Sequence, residues 1–424
     1  MKKLFLLMSM AVLTFIGCTE SVTEMVTYTI NEPVFMTTEA IRSSVKVTSE
    51  QRPITNVGKM CFYNDYLYIS EPTKGIHIID NKNPSNPQKV GFIELLGNAD
   101  LAIRDNKLYA DSYMDLVWFD ISNPSIPNFK GRLDSIFPVM LPMTDNNYGV
   151  DYKMVYDGNA KGIVVGWKTK ERKEDVSQYT GGWGMEKDGL IMGSGPLNFT
   201  SGAAATSGIN GSMSRFSIYN DKLYSVVNNY MNIFELQGDK PKKAAQDLYI
   251  GSNVETIFSY KDNMFMGTPT GLLIYSVRDP LKPLFQSSVT HVLGCDPVVV
   301  ENDMAYVTVH SGNFCGQNVN ELIVIDVANV QKPKQIVTYA MKNPKGLGID
   351  NGKLFLCDDG LKIFNVTDPQ TMMANQLAHY TGMDGYDVIA YNNVLMMIAN
   401  DGIYQYNYSN VKDIKFLSKM PIVK

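Results

Sequence analysis

The amino-acid sequence predicts an all-β fold, a seven-bladed β-propeller of four-stranded antiparallel blades with a Gly-rich insertion after blade two. Three observations point to it. A phrase recurs, "GIHIIDNKNPSNP" at 75–87 and "LVWFDISNPSIP" at 116–127, in which a strand runs into Asp and then breaks on two prolines. An Asn/Asp turn followed by Tyr, Phe or Met returns with its last residue at 68, 109, 224, 265, 306, 355 and 396, giving spacings of 41, 115, 41, 41, 49 and 41. A period near 40 marks propellers and other repeat folds. Finally, 24 Tyr and 18 Phe in a chain that is 45 % apolar and 19 % charged suit a globular domain built of strands.

Each unit parses alike. A strand ("KMCFY") meets an Asn-Asp hairpin turn, a second strand ("YLYIS") follows, then a third ("IHIID"), a Pro-marked turn and a fourth ("KVGFIEL"). The third strand ends on Asp80, Asp120, Glu235, Ser276, Asp326, Asn365 or Asn407. All are polar, and most can accept N–H bonds from the following turn. Pro84, Pro124, Pro280 and Pro369 then stop further pairing, as do Pro87, Pro127, Pro283 and Pro333. The phrase is a turn instruction, not a catalytic signature. "SSVKV" (43–47) is expected to complete the ring near the last blade.

The spacing of 115 is one repeat of 41 plus 74 extra residues, an insertion at about 136–212. Its first part reads as strands extending blade two, or alternatively as an eighth, degenerate blade within 136–175. Its second part, "GGWGMEKDGLIMGSGPLNFTSGAAATSGINGSM", is rich in Gly, Ser and Ala.

The N-terminus reads as an address. "MKKLFLLMSMAVLTFIGC" has two lysines, a short apolar run and a small-residue site, the layout of a secretory signal. "FIGC" resembles a bacterial lipobox, with Phe15 where Leu is usual. On that reading residues 1–17 are removed, Cys18 is lipidated, 18–40 form a tether and N-terminal segment, and 41–424 form one propeller domain. Residues 19–33 look like the tether proper. Formal charge is −5, and loss of Lys2 and Lys3 leaves 36 basic against 43 acidic residues, or −7. With no basic run, nucleic acid is not an expected partner.

The repeats "LIVID" (322–326), "IHIID" and "VWFD", together with "RSSVKV" (42–47), "LYADSYMDLVWFDISNP" (108–124), "GIVVGW" (162–167) and "GCDPVVV" (294–300), resemble the LVIVD-repeat lipoproteins of Bacteroidetes-type bacteria. The resemblance implies a propeller held by lipid at the outer membrane, with surface exposure as one option. It implies no established reaction.

Candidate chemistry is sparse. Cys295 and Cys315 fall on the loop-rich face of blade five and are expected to form a disulfide, favoured by an oxidising envelope. Cys61 and Cys357 sit in strand patterns as core thiols. The four histidines are isolated, and only His310, at the start of the blade-five loop, is a candidate ligand contact. Stepping back nine residues from each anchor gives Lys59, Asp100, Arg215 and Asp387 among smaller residues, and ten gives Glu255 and Asp296. These begin the innermost strands and should ring the mouth of the central channel. Asp100, Asp296 and Asp387 could hold Ca²⁺ there through oxygen ligands, or a polar ligand. Alternatively the carboxylates bond to loop amides, Lys59 and Arg215. Tyr179 and Trp183 in the insertion suit sugar stacking or a partner surface. No Ser–His–Asp arrangement or phosphate-cradling glycine motif appears.

The functional expectation is a lipid-anchored binding or scaffold propeller for a glycan, a peptide or an envelope protein, with no cofactor. A Ca²⁺-dependent hydrolase or lyase at the channel mouth and a structural subunit of an outer-membrane complex are the alternatives.

Overall fold

The computed structural model describes residues 25–145, 147–175, 209–244, 247–251, 253–290, 297–310 and 319–423. Among them stand seven antiparallel sheets, whose first strands begin at Met60, Leu101, Phe216, Thr256, Val298, Leu347 and Gly385. Sheet one runs Met60–Tyr63, Tyr66–Glu71, Gly75–Asp80 and Gln88–Glu94, each strand beside the one before it. The others repeat this order, although the outer strand of sheet three is broken into Lys242–Lys243 and Leu248–Tyr249.

Local chemistry sets these hairpins. Asn64 and Asp65 both have positive φ (46° and 61°), the twist-matched two-residue turn, and Asp105–Asn106, Asn220–Asp221, Asn302–Asp303 and Asn392–Asn393 repeat it. The residue ending the third strand accepts from the backbone two residues on. Asp80 Oδ1 takes Lys82 N at 3.0 Å, and Asp120, Asp326, Asn365 and Asn407 do the same. A second side chain three residues later repeats the bond, as in Ser85 N to Asn83 Oδ1 at 3.2 Å and Leu281 N to Asp279 Oδ1 at 3.1 Å. Between third and fourth strands the register slips once at a matching place in six sheets, for example between Ile78 and Ile79. Such a bulge sharpens the local right-handed twist of the sheet.

The recurring Tyr/Phe/Met positions are the mortar between sheets. Tyr68, Tyr109, Tyr224, Phe265, Tyr306, Phe355 and Met396 are all buried. Tyr68 packs with Leu101 and Leu108 of sheet two, and Tyr224 with Ile257 and Met264 of sheet four. Met396 of sheet seven packs with Met60, Leu67 and Ile69 of sheet one. Sheets one and seven are also tied by a reciprocal buried amide pair, Asn81 Nδ2 to Gln405 Oε1 at 2.9 Å and Gln405 Nε2 to Asn81 Oδ1 at 2.7 Å.

Three expectations are corrected. Lys46–Thr48 pairs with Gln88–Glu94, the outer strand of sheet one, and all four strands of sheet seven come from the C-terminal residues. The two end sheets are instead stitched by an Ile54–Ile422 bridge and by Val423 N donating to Ile54 O at 2.8 Å. Residues 136–175 neither extend sheet two nor form an eighth four-stranded blade: Ile163–Asp175 pairs with Met25–Met36 in a long ribbon, with Gly149–Val150 beside it. From Met25 onward, therefore, the expected tether is strand. Both ribbon strands mix polar and apolar residues, as suits a sheet with one solvated face.

Phe265→Ala is expected to cost about 3–5 kcal/mol in urea unfolding, because a fully buried inter-sheet ring leaves a cavity. Phe285→Ala, on the outer strand and 50 % exposed, should cost less than about 1 kcal/mol.

Candidate functional site

The stretch 209–215, "INGSMSR", lies where the first strands converge. Ile209–Asn210 pairs with Met60–Tyr63. Gly211 N donates to Met60 O, Asn210 Nδ2 to Leu101 O, and Ile257 N to Ser214 O. Leu347 N donates to Ser212 Oγ at 2.7 Å. One short segment thus bonds the inner strands of sheets one, two, four and six, and continues into sheet three. Ser212 and Met213 are fully buried.

Two carboxylates hold it. Asp100 Oδ1 accepts from Ser214 Oγ (2.9 Å) and Leu101 N (2.8 Å), while Oδ2 accepts from Arg215 N (2.6 Å) and faces Lys59 Nζ (3.3 Å). Lys59 Nζ also donates to Met213 O at 3.0 Å. Asp387 Oδ1, from sheet seven, accepts from Ser212 N (2.9 Å), Ser212 Oγ (2.7 Å) and Val388 N (2.9 Å). Its Oδ2 is buried without a hydrogen-bond partner among the described residues. Two glycines leave room for it: a Cβ on Gly211 would lie 2.0 Å from Asp387 Oδ2, and one on Gly346 2.4 Å from Oδ1.

Burial dominates the electrostatics. It pushes the Asp387 carboxyl up to about 7 against the bonds from Ser212 and Val388, and holds Lys59 well below an ordinary lysine despite Asp100. Asp111 is likewise pushed up to about 7, although its Oδ1 accepts from Ala99 N, Asp100 N and Asn98 Nδ2 at 2.7, 2.8 and 3.1 Å.

Above this network lies a cavity of about 500 Å³. Its floor includes Asp100, Asp111 and Arg215, and its walls Val57, Pro72 and Val226. Residues 137–143 and Val165–Gly166 roof it. The roof is pinned by Trp167 Nε1 donating to Pro142 O at 2.8 Å and by Phe137 N donating to Met114 O at 2.9 Å. Val165 is the residue skipped by a bulge in the ribbon, where Val34 pairs with Gly166 and Phe35 with Val164. The bulge re-aims the ribbon at the cavity.

The structure therefore brings Lys59, Asp100, Arg215 and Asp387 to one centre, where three of them clasp the chain's own segment. Glu255 precedes the first strand of sheet four, and Gly346 N donates to Tyr386 O beside Asp387. Cys18, Tyr179, Trp183, Asp296, Cys295 and Cys315 lie outside the described residues. His310 is buried at the edge of sheet five. Cys61 and Cys357 are buried thiols whose ionisation burial suppresses. Among the described residues no three His, Cys, Asp or Glu side chains cluster as metal ligands would. Asp111, Asn210, Ser212, Ser214 and the roof were not signalled by repeat register; a carboxylate interrupting the apolar strand "KLYADS" was the available clue for Asp111.

Fold and site together define an all-β, propeller-like protein whose segment 209–215 bonds the first strands of several sheets beside a roofed cavity. The LVIVD repeat, a β-propeller family, matches residues 57–93 and 98–135, which are sheets one and two. No curated protein matches the chain. Among solved structures, a putative 6-phosphogluconolactonase from Bacteroides uniformis is similar with a TM-score of 0.51 at 11 % identity, covering 87 % of this chain and 99 % of that one. Kluyveromyces lactis Hsv2 gives 0.49 at 10 % identity (88 % and 100 % covered), and BamB from Moraxella catarrhalis 0.46 at 8 % (89 % and 91 %). At such identities the likeness concerns fold alone.

Gly211→Ala is expected to destabilise by about 1–3 kcal/mol, since the added methyl must displace Asp387. Between pH about 4 and about 7 the folded chain keeps a proton on Asp387 that the unfolded chain has released, so this group makes stability fall as pH rises. Asp387→Asn should remove up to about 1.4 kcal/mol per pH unit of that slope, read from urea unfolding at several pH values. An unchanged slope would contradict the assignment.

Proposed function

We propose that the seven sheets close into one seven-bladed ring around segment 209–215, and that the chain is a lipid-anchored binding module of the bacterial envelope. Two facts support closure. The axial segment bonds inner strands from most of the sheets, and Met396 and Gln405 of the last sheet pack and bond against the first. The anchor reading rests on the "FIGC" site at Cys18, and the outer-membrane location goes with the resemblance to LVIVD-repeat lipoproteins.

The observation that carries the binding role is the roofed cavity. Its volume of about 500 Å³ falls in the range of small-molecule sites, ~300–1,000 Å³. Val57, Pro72, Met140, Leu141 and Pro142 line it, and this favours an apolar body, from a small amphipath or a peptide segment, over a glycan. The four acceptor positions of Asp100 are filled from within the chain, which argues against Asp100 as an open calcium ligand.

A thermal-shift screen of amphipathic small molecules and short apolar peptides against the full chain should yield stabilising hits that vanish in Met140→Trp, which fills the cavity from its roof. Hits that persist in the variant would place binding elsewhere. Metabolic labelling with palmitate should mark the wild-type protein and fail in Cys18→Ser; equal labelling would remove the anchor.

A further inference from the structure

We infer that the roofed cavity takes a molecule with an apolar body and a carboxylate head, and that the Arg215 guanidinium is the group that holds the head. The inference deepens the binding role proposed above and rests on it. Arg215 lines the cavity at its polar floor. Its backbone N–H donates to Asp100 Oδ2, so the residue is fixed in place by its main chain while the side chain is left for other work. The Nε is buried with no hydrogen-bond partner, and among the described residues no group accepts from the guanidinium. A buried donor without a partner is costly, and a planar cation with its N–H groups open fits a carboxylate in two parallel bonds.

The nearby acids do not meet that need. Asp100 has both oxygens engaged, by Ser214, Leu101, Arg215 N and Lys59. Asp111 Oδ1 is turned to Ala99 N, Asp100 N and Asn98 Nδ2. Asp100, Asp111 and Glu255 support the charge on Arg215 through space without hydrogen-bonding it. Lys59, the other cation, is bonded to Met213 O and Asp100 beneath the floor. Among the described residues no acceptor is bonded to the guanidinium, and the cavity is lined nearby by Pro72, Leu141, Pro142 and Val226.

The test is titration calorimetry of the full chain with decanoate, its neutral methyl ester and decylamine, repeated on Arg215→Gln and Met140→Trp. The expected result is that decanoate binds best to the wild type, that R215Q weakens decanoate about tenfold or more while leaving the ester nearly unchanged, and that M140W weakens both. Retained ester binding by R215Q separates a lost contact from a lost fold. Equal binding of ester or amine, lost in M140W but indifferent to R215Q, would overturn the carboxylate assignment and leave the binding role standing. No binding of any probe to the wild type would overturn this inference, while the broader role is judged by the separate ligand screen.

Discussion

The hydrogen bonds that fix residues 209–215 at the meeting point of the inner strands are the constraint on which this architecture turns. The first strand of a four-stranded sheet is an edge, with N–H and C=O groups that cannot be left dry and unbonded. The backbone and serines of one segment answer several of those edges at once, through Met60 O, Ile257 N, Leu347 N and Leu101 O. Two buried carboxylates, Asp100 of sheet two and Asp387 of sheet seven, then fasten the segment. Around this axis the side-by-side packing of sheets does the bulk work, with one large residue per repeat filling each gap. The polar centre sets position, and the apolar gaps supply most of the stability.

Much of the fold was legible because its rules are local. A polar residue ending a third strand bonds the backbone two residues on, and Asp80 and Asp326 do so wherever the rest of the chain goes. Asn-Asp turns with positive φ are equally local. The repeat spacing then orders the sheets, and register alone gathered Lys59, Asp100, Arg215 and Asp387 before any contact was known. What remained hidden is long-range. The ribbon joins Tyr28 to Arg172 across the chain, and nothing near either strand names its partner. The axial segment was masked by composition, since "INGSMS" reads as the end of a Gly/Ser-rich insertion. Its small residues are what let it fit: Gly211 has no room for a methyl beside Asp387.

At the same centre Asp100 has little left to offer a metal ion. A carboxylate that bonds amides, a hydroxyl and an ammonium has its lone pairs committed. Arg215 also lines the cavity, and its guanidinium is a group the clasp did not use. On the proposed reading the division is economical in sequence: the Arg215 backbone bonds Asp100, and its side chain is left for the ligand.

The ribbon has a mechanical consequence. Its strands are paired from Met25–Asp175 at one end to Met36–Ile163 at the other, and the N-terminal residue of the pair sits at the far tip. Antiparallel bonds lie across the strands, so tension on Met25 along the ribbon loads the whole ladder together in shear. A sideways pull breaks one rung at a time, starting from the tip. A pull at Met25 therefore meets a ribbon that is stiff lengthwise and free to peel crosswise.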